Sequence, residues 1–210
     1  MSEARIILKS PYFASGKVLT REMLNLLRDY PVDAFETLTQ SYSDGIIRGL
    51  NISSFEKSLV IGRGLFRKNG CLWFVNSEIR LALPTKNGRY ALIMNLGEQE
   101  ENYDKNCGCK NQEVVFVFIP LEEVKADTLE LCRFELIDSG LNDSFNDFLN
   151  WWNIHSNFID IRNCIWADPL TQGTVNPVIC RLFAEKLARV NDLQPFDYAF
   201  IFTCLNSETI

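Results

Sequence analysis

Histidine is almost absent from this sequence: His155 is the single example among 210 residues. Ser-His or Cys-His catalytic machinery, and any multi-histidine metal site, would have to be built around that one side chain. It follows Trp152 by three residues with no second catalytic group beside it, which favours a packing or capping role. The composition therefore favours a binding or structural protein over an enzyme, with no catalytic residue and no cofactor.

Long apolar runs and basic clusters are also missing. No run approaches the roughly 18 apolar residues that span a bilayer, and the opening MSEARIILKSPYF is too short and too mixed for a signal peptide. The 27 Asp and Glu outnumber the 21 Lys and Arg, for a formal net charge of −6. Because nucleic-acid binding needs a clustered basic surface, we expect no nucleic-acid partner. Because no apolar run is long enough to span a bilayer, we expect no membrane partner.

The seven cysteines indicate a protein made in a reducing compartment. Their number is odd, and most lie within apolar runs, where a free cysteine packs as a small hydrophobic residue. Cys107 and Cys109 are the one close pair, but a closed zinc site needs four ligands, so no metal is predicted. The glycines of GRGLFRKNG lack the spacing of a phosphate-binding loop and are more typical of strand bulges.

The pattern predicts an α+β fold in three parts: an extended arm and two helices (1–50), an antiparallel β-meander forming a small sandwich or barrel (51–140), and a helical C-terminal region (141–210). Thr20 is a candidate N-cap for the first helix, Pro31 is expected to separate it from the second, and Gly45 suits the exit of that second helix.

Turn residues divide the strand-like runs of the central region. Asn69-Gly70 and Asn87-Gly88 both predict hairpins, because such pairs favour the positive φ angles of type I′ turns. The polar stretch 98–112 is expected to be a loop between adjacent strands. No crossover helices intervene, so the sheet is expected to be antiparallel.

In the C-terminal region, Ser144 to Asp147 fits a capping box, and Asn176-Pro177 fits a cap followed by a proline at the first helical position. The aromatic segment FDYAFIFTCL is of ambiguous type, and its Phe-rich part (196–202) suggests a surface to be covered. The candidate interface residues belong to two groups. Four lie in an apolar extended arm at 5–13: Ile6, Ile7, Tyr12 and Phe13. The other three are tryptophans that either contact a partner or pack inside the chain: Trp151, Trp152 and Trp166.

The first 84 residues contain an ordered series of motifs. An aromatic-x-x-G-x-x-L-T segment precedes a predicted helix with a Leu-Asn pair, and a second predicted helix and glycine-punctuated strands follow. The positions concerned are Phe13, Gly16, Leu19, Thr20, Leu24, Asn25, Gly45, Ile46, Ile47, Gly49, Leu50, Leu59, Val60, Ile61, Gly62, Gly64, Asn69, Gly70, Cys71, Leu72 and Trp73. This series resembles the opening of phage tail and baseplate proteins. The order of these motifs is more specific than any one of them.

The resemblance implies an N-terminal docking module without catalytic residues. It implies a structural or adaptor subunit of a phage tail, baseplate or tail-like contractile particle, which binds other tail or baseplate proteins and copies of itself. Such a protein is assembled in the cytoplasm of the bacterial host and resides in the virion or particle. The sequence has no long fibrous repeat after the module, which favours an adaptor over a receptor-binding fibre.

Two other functions are open from the sequence. A carbohydrate- or small-molecule-binding β-domain would use Trp73, Tyr90 or Tyr103 for stacking. An enzyme of another type would use Cys107 or His155 and would require a deep cleft around one of them.

Overall fold

The computed structural model describes residues 13–16, 18–104, 107–137, 141, 159–169 and 173–206, and for 98–104 and 107–112 it describes the backbone alone. The chain divides after Ser41 into two compact units, Met1–Ser41 and Tyr42–Ile210. The described helices are α1 (Arg21–Thr39) in the first unit and α2 (Pro177–Leu187), α3 (Pro195–Asn206) and the 3-10 turn Leu121–Glu123 in the second. None of these helices is long and apolar enough to cross a membrane.

Helix α1 begins where the sequence predicts. The Thr20 hydroxyl accepts a hydrogen bond from the Met23 amide at 3.2 Å, as an N-cap does. The predicted break at Pro31 is wrong, because α1 is one helix that contains this proline. A proline removes a single amide donor from a helix interior, while the turns on either side keep their own hydrogen bonds.

In the described part of Tyr42–Ile210, nine strands form three sheets of three strands each, and the named strands pair antiparallel. The strands are β1 (Gly45–Gly49), β2 (Ile52–Phe55), β3 (Ser58–Ile61), β4 (Gly64–Lys68), β5 (Cys71–Val75), β6 (Ile79–Ala82), β7 (Gly88–Asp104), β8 (Cys107–Pro120) and β9 (Leu129–Leu136). The orders are β1-β4-β5, β2-β3-β6 and β8-β7-β9. The mixed α+β class and the antiparallel pairing are confirmed, but β1 pairs with β4 and β3 with β6, so the strands do not follow a simple meander.

The first two sheets share one bent hairpin. Strands β1 and β2 form one arm, strands β3 and β4 form the other, and the pairing continues through the bend. There the Leu50 amide donates to the Arg63 carbonyl at 3.0 Å, and the Gly62 amide donates to the Asn51 carbonyl at 2.9 Å. The backbone therefore passes from one sheet to the other without losing its hydrogen bonds.

Two facing glycines form the corner of this hairpin. Gly49 pairs with Gly64, and Gly49 has φ +77°, a conformation that costs a residue with a Cβ atom. A Cβ at Gly49 would overlap the Arg63 carbonyl oxygen, and a Cβ at Gly64 would lie 2.5 Å from the Leu50 amide nitrogen. The corner thus depends on two positions without side chains. Gly45, predicted at a helix exit, instead begins β1.

The two Asn-Gly pairs have different outcomes. Asn69-Gly70 joins β4 to β5, with φ +54° and +76°, so this hairpin is confirmed. The hairpin predicted at Asn87-Gly88 is wrong, because β6 pairs with β3 while β7 lies between β8 and β9. Residues 91–94 of β7 are all buried, so the partners of this strand are determined by core packing rather than by the turn before it.

The described part of the polar stretch 98–112 is a paired ribbon rather than the predicted loop. Strands β7 and β8 stay in register from Gln99 opposite Gln112 to Asp104 opposite Cys107. A register shift between Leu96 and Gln99 marks a bulge in β7. Backbone pairing does not require apolar side chains, which is why composition alone suggested a loop.

An extended segment connects two sheets before α2 begins. This linking segment comprises residues 159–169 and 173–176. Asp160 and Arg133 of β9 exchange backbone hydrogen bonds at 2.7 Å, and the Ala167 amide donates to the Ile46 carbonyl of β1 at 2.8 Å. The sequence predicted helix throughout this region, but the linking segment is extended. The predicted capping box at 144–147 lies outside the described residues.

The main core lies among the three sheets and the linking segment. Its buried members come from all of them and include Phe66, Leu59, Leu92, Leu131, Ile159 and Trp166.

Candidate protein-binding surface

Helix α2 is positioned by a local cap. The Asn176 side-chain oxygen accepts a hydrogen bond from the Val178 amide at 3.0 Å, and Pro177 occupies the first turn, as predicted. Inside the helix, Ile179 and Ala184 are buried, which fixes the side of α2 that meets the rest of its unit.

Substitution of Asn176 tests this cap. Asn176 is 7% exposed, and Asn176→Ala removes the acceptor, so we expect a loss of about 1 kcal/mol in the free energy of unfolding. Asn176→Ser is the matched control because a serine oxygen can replace the acceptor. Urea denaturation measures both variants, and equal losses would show that the cap contributes nothing.

Helix α3 packs on α2 as an antiparallel hairpin. The Phe183 and Phe200 rings meet edge to face with centroids 5.9 Å apart, and the Cys204 thiol is hydrogen-bonded to Cys180. Later residues of α2 therefore meet earlier residues of α3. At the start of α3, the Gln194 amide donates to the Asp197 carboxylate at 2.8 Å, which satisfies a backbone donor at the helix entry.

The far side of α3 exposes an aromatic strip, defined here as Tyr198, Phe202 and Leu205. Successive helical residues are rotated by about 100°, so these three lie within about 60° of one another, on the side opposite Phe200, whose ring packs on α2. Tyr198 is 60% exposed and Phe202 69% exposed, while Leu205 is 39% exposed. Phe196, at 80% exposure, adds a further apolar side chain near the start of the helix.

The composition of α3 is unusual for a helix at a surface. Asp197 is its single charged residue, and aromatic side chains occur on several sides. A surface helix normally has a polar face toward solvent, whereas a helix that is apolar all round is normally covered. Contiguous exposed apolar side chains of this kind mark interaction sites, so α3 is a candidate interaction surface.

The residues predicted as interface residues divide between described and undescribed positions. Phe13 is half-exposed in the first unit. Trp166 is 8% exposed and belongs to the core, so its side chain packs inside this chain. Ile6, Ile7, Tyr12, Trp151 and Trp152 lie outside the described residues.

Trp166 shares its buried surroundings with two thiols. Its buried indole N–H faces the Cys164 sulfur, a weak acceptor, and has no other acceptor among the described groups. Burial raises the pKa of Cys164 to about 12, the charge of Glu130 acts in the same direction, and Trp166 opposes both. Burial likewise raises the pKa of Cys132 well above its ordinary value. Neither thiol is therefore suited to act as a nucleophile at neutral pH.

The two buried carboxylates of this region are each paired with an arginine. Glu130 accepts two hydrogen bonds from the Arg133 guanidinium, at 2.6 and 2.9 Å, and Asp160 accepts from Arg162 at 2.8 and 2.9 Å. The bond with Asp160 raises the pKa of Arg162. Paired in this way, both carboxylates are structural rather than free for acid–base chemistry.

A cavity of about 390 Å³ lies between the bent hairpin and the linking segment. Its wall is mainly apolar and includes Ile46, Leu131 and Trp166, together with Asn176, whose side-chain oxygen already caps α2. The volume is within the range of small-molecule sites. The residues that line it provide no free charged group to orient a polar ligand.

The aromatic residues proposed for carbohydrate stacking have internal partners. Trp73 packs against the core and its indole N–H donates to the Lys68 carbonyl at 3.3 Å. Tyr90 stacks on Phe134 with ring centroids 5.8 Å apart and donates to the Lys86 carbonyl. The side chain of Tyr103 lies outside the described residues. Neither described ring is free to form a flat stacking platform.

The candidate catalytic residues cannot be placed in a site. His155 lies outside the described residues, and Cys107 is described only as backbone in β8, opposite Asp104. Among the described residues, no cluster of three or more His, Cys, Asp or Glu is arranged to hold a metal ion.

The sequence matches no protein-family model, and no curated protein matches it significantly. The resemblance to phage tail proteins therefore rests on the order of motifs within residues 13–73. Tyr198, Phe202 and Leu205 were not among the predicted interface residues, although their segment was noted as aromatic. The signal that identifies them is the lack of a polar face in a segment long enough to be a helix.

Proposed function

We propose that this chain is a non-enzymatic structural or adaptor subunit of a phage tail, baseplate or tail-like contractile particle, which docks neighbouring protein subunits through α3. The observation that carries this proposal is the aromatic strip, with Tyr198 and Phe202 each more than half exposed. Large aromatic side chains contribute most to binding energy at protein interfaces.

Two further features support an adaptor. The motif order of residues 13–73 resembles the docking modules of tail proteins. The core receives side chains from all three sheets, which supports a small sandwich or barrel as the scaffold that holds α2 and α3. A scaffold of this kind would keep the docking helix in one orientation and so reduce the entropy lost on association.

The test combines solution mass with substitution in the strip. Light scattering of the purified chain measures self-association, and a pull-down from its source measures binding to other tail proteins. Replacing Tyr198 and Phe202 together by serine should weaken the association at least about 30-fold, which is the effect of losing a single hot-spot aromatic worth about 2 kcal/mol.

Phe74→Ser is the matched control, since Phe74 is 67% exposed on β5, far from α3 in sequence and equally apolar. The control should associate like the unsubstituted chain. Equal weakening by both variants would indicate nonspecific association through exposed apolar side chains rather than docking through α3. A monomer without partners would contradict the proposal.

A small-molecule-binding β-domain is the second candidate. The cavity of about 390 Å³ favours it, and its apolar wall would suit an apolar ligand rather than a carbohydrate. A monomeric chain without protein partners would make this the leading function.

A further inference from the structure

The antiparallel packing of α2 and α3 brings two cysteines from distant turns together. Cys180 lies one turn before Phe183 in α2, and Cys204 lies one turn after Phe200 in α3. Since the two phenylalanine rings are in contact, the antiparallel arrangement places the two cysteines side by side. The Cys204 thiol is indeed hydrogen-bonded to Cys180, and both side chains are partly exposed.

The backbone spacing of packed helices suits a disulfide at this position. Helices in contact have axes about 8–10 Å apart, with Cα atoms about 2.3 Å from each axis. Facing Cα atoms can therefore approach within the roughly 4.4–6.8 Å that a disulfide requires. The other described free cysteines differ: Cys132 and Cys164 are buried, and Cys71 is exposed on β5.

We propose that Cys180 and Cys204 are a redox-sensitive pair that forms a disulfide between α2 and α3 in the presence of an oxidised low-molecular-weight disulfide such as oxidised glutathione. One thiolate attacks a glutathione sulfur, which releases one glutathione thiolate and leaves a mixed disulfide on the protein. The second thiolate attacks that mixed disulfide and releases the second glutathione. The protons lost by the two cysteines are taken up by the two released thiolates.

The disulfide would fix the hairpin that carries the aromatic strip. It joins the first turn of α2 to the last turn of α3, so the two helices can no longer separate at that end. This consequence does not depend on the proposed function, because it concerns the hairpin whether or not a partner binds. Burial, the neighbouring Cys180 and the hydrogen bond that the Cys204 thiol donates to it raise the pKa of Cys204, so the reaction should accelerate as the pH is raised.

The experiment treats the full chain with oxidised glutathione and maps the products by mass spectrometry after trypsin digestion. The expected product is a cross-link between the peptides 163–181 and 190–210, with two hydrogen atoms lost. Because the first peptide contains both Cys164 and Cys180, the digestion is repeated on Cys164→Ala, where the same cross-link must persist.

Single variants show whether the second cysteine resolves the mixed disulfide. Cys180→Ser and Cys204→Ser should each retain glutathione on the remaining cysteine of the pair, because no second thiol releases it. In the unsubstituted chain, glutathione should remain on Cys71 but be released from Cys180 and Cys204 as their disulfide forms. Stable glutathione on Cys180 or Cys204 of the unsubstituted, folded chain, or free thiols at both positions after Cys71 has fully reacted, would overturn the proposal. Circular dichroism before and after treatment confirms that the chain is still folded.

Discussion

Gly49→Ala is expected to lower the free energy of unfolding by about 2–5 kcal/mol, because it combines two separate penalties at the corner of the bent hairpin. The first is conformational: a residue with a Cβ at φ +77° costs about 1–2 kcal/mol. The second is steric, since the new methyl group would overlap the Arg63 carbonyl and force a backbone shift costing about 1–3 kcal/mol.

Two other glycines separate these penalties. Gly70 has φ +76° but open space where a Cβ would lie, so Gly70→Ala should show the conformational cost alone. A Cβ at Gly64 would lie 2.5 Å from the Leu50 amide nitrogen, and this glycine does not have a positive φ angle, so Gly64→Ala should show the steric cost alone.

Urea denaturation of the three variants gives the comparison directly. The loss for Gly49→Ala should be close to the combined losses for Gly64→Ala and Gly70→Ala, and Gly70→Ala should be the mildest. If Gly49→Ala were no worse than Gly70→Ala, the close approach of the two hairpin arms would be wrong. Should Gly49→Ala fail to fold, the Gly64→Ala and Gly70→Ala pair still tests the corner.

Alkaline pH is expected to destabilise the protein through its buried thiols. The pKa of Cys164 is about 12 in the folded chain, against an ordinary 9.0. Below pH 9 both states keep the proton, so the full stability is present. Between pH 9 and 12 only the unfolded chain loses it, so the free energy of unfolding falls as the pH rises, by about 4 kcal/mol in total for this thiol.

The contribution of Cys164 is isolated by substitution. Cys164→Ala should lose stability less steeply than the unsubstituted chain between pH 9 and 11 in urea titrations, although a small cavity lowers its stability at pH 7. Cys71→Ala is the control because it removes an exposed thiol. Parallel declines for Cys164→Ala and the unsubstituted chain would contradict the buried environment of Cys164.

Local signals in the sequence predicted local structure well. The caps at Thr20 and Asn176 and the hairpin at Asn69-Gly70 each depend on atoms a few residues apart, and each is observed. Pro31 shows the limit of a local rule, since the loss of one amide donor does not end α1.

Features that depend on distant partners were not predictable in the same way. Asn87-Gly88 has the composition of a hairpin turn, yet the strands on either side pair elsewhere because β7 is buried between β8 and β9. Trp166 reads as an interface residue from its size, but its neighbours in the core come from strands remote in sequence. For the candidate site, the sequence shows that the segment FDYAFIFTCL is aromatic. It does not show that the segment forms a helix or which side of that helix is exposed, because both depend on the packing of α3 on α2.

The linking segment has a consequence for synthesis of the chain. Strand β1 is at the edge of its sheet, and the bridge between Ile46 and Trp166 covers that edge. The two residues are more than a hundred positions apart, so a ribosome adding about 5–20 residues per second needs on the order of ten seconds to make the second after the first. During that interval β1 presents unpaired backbone groups to other nascent chains, and strand pairing between copies is most probable then.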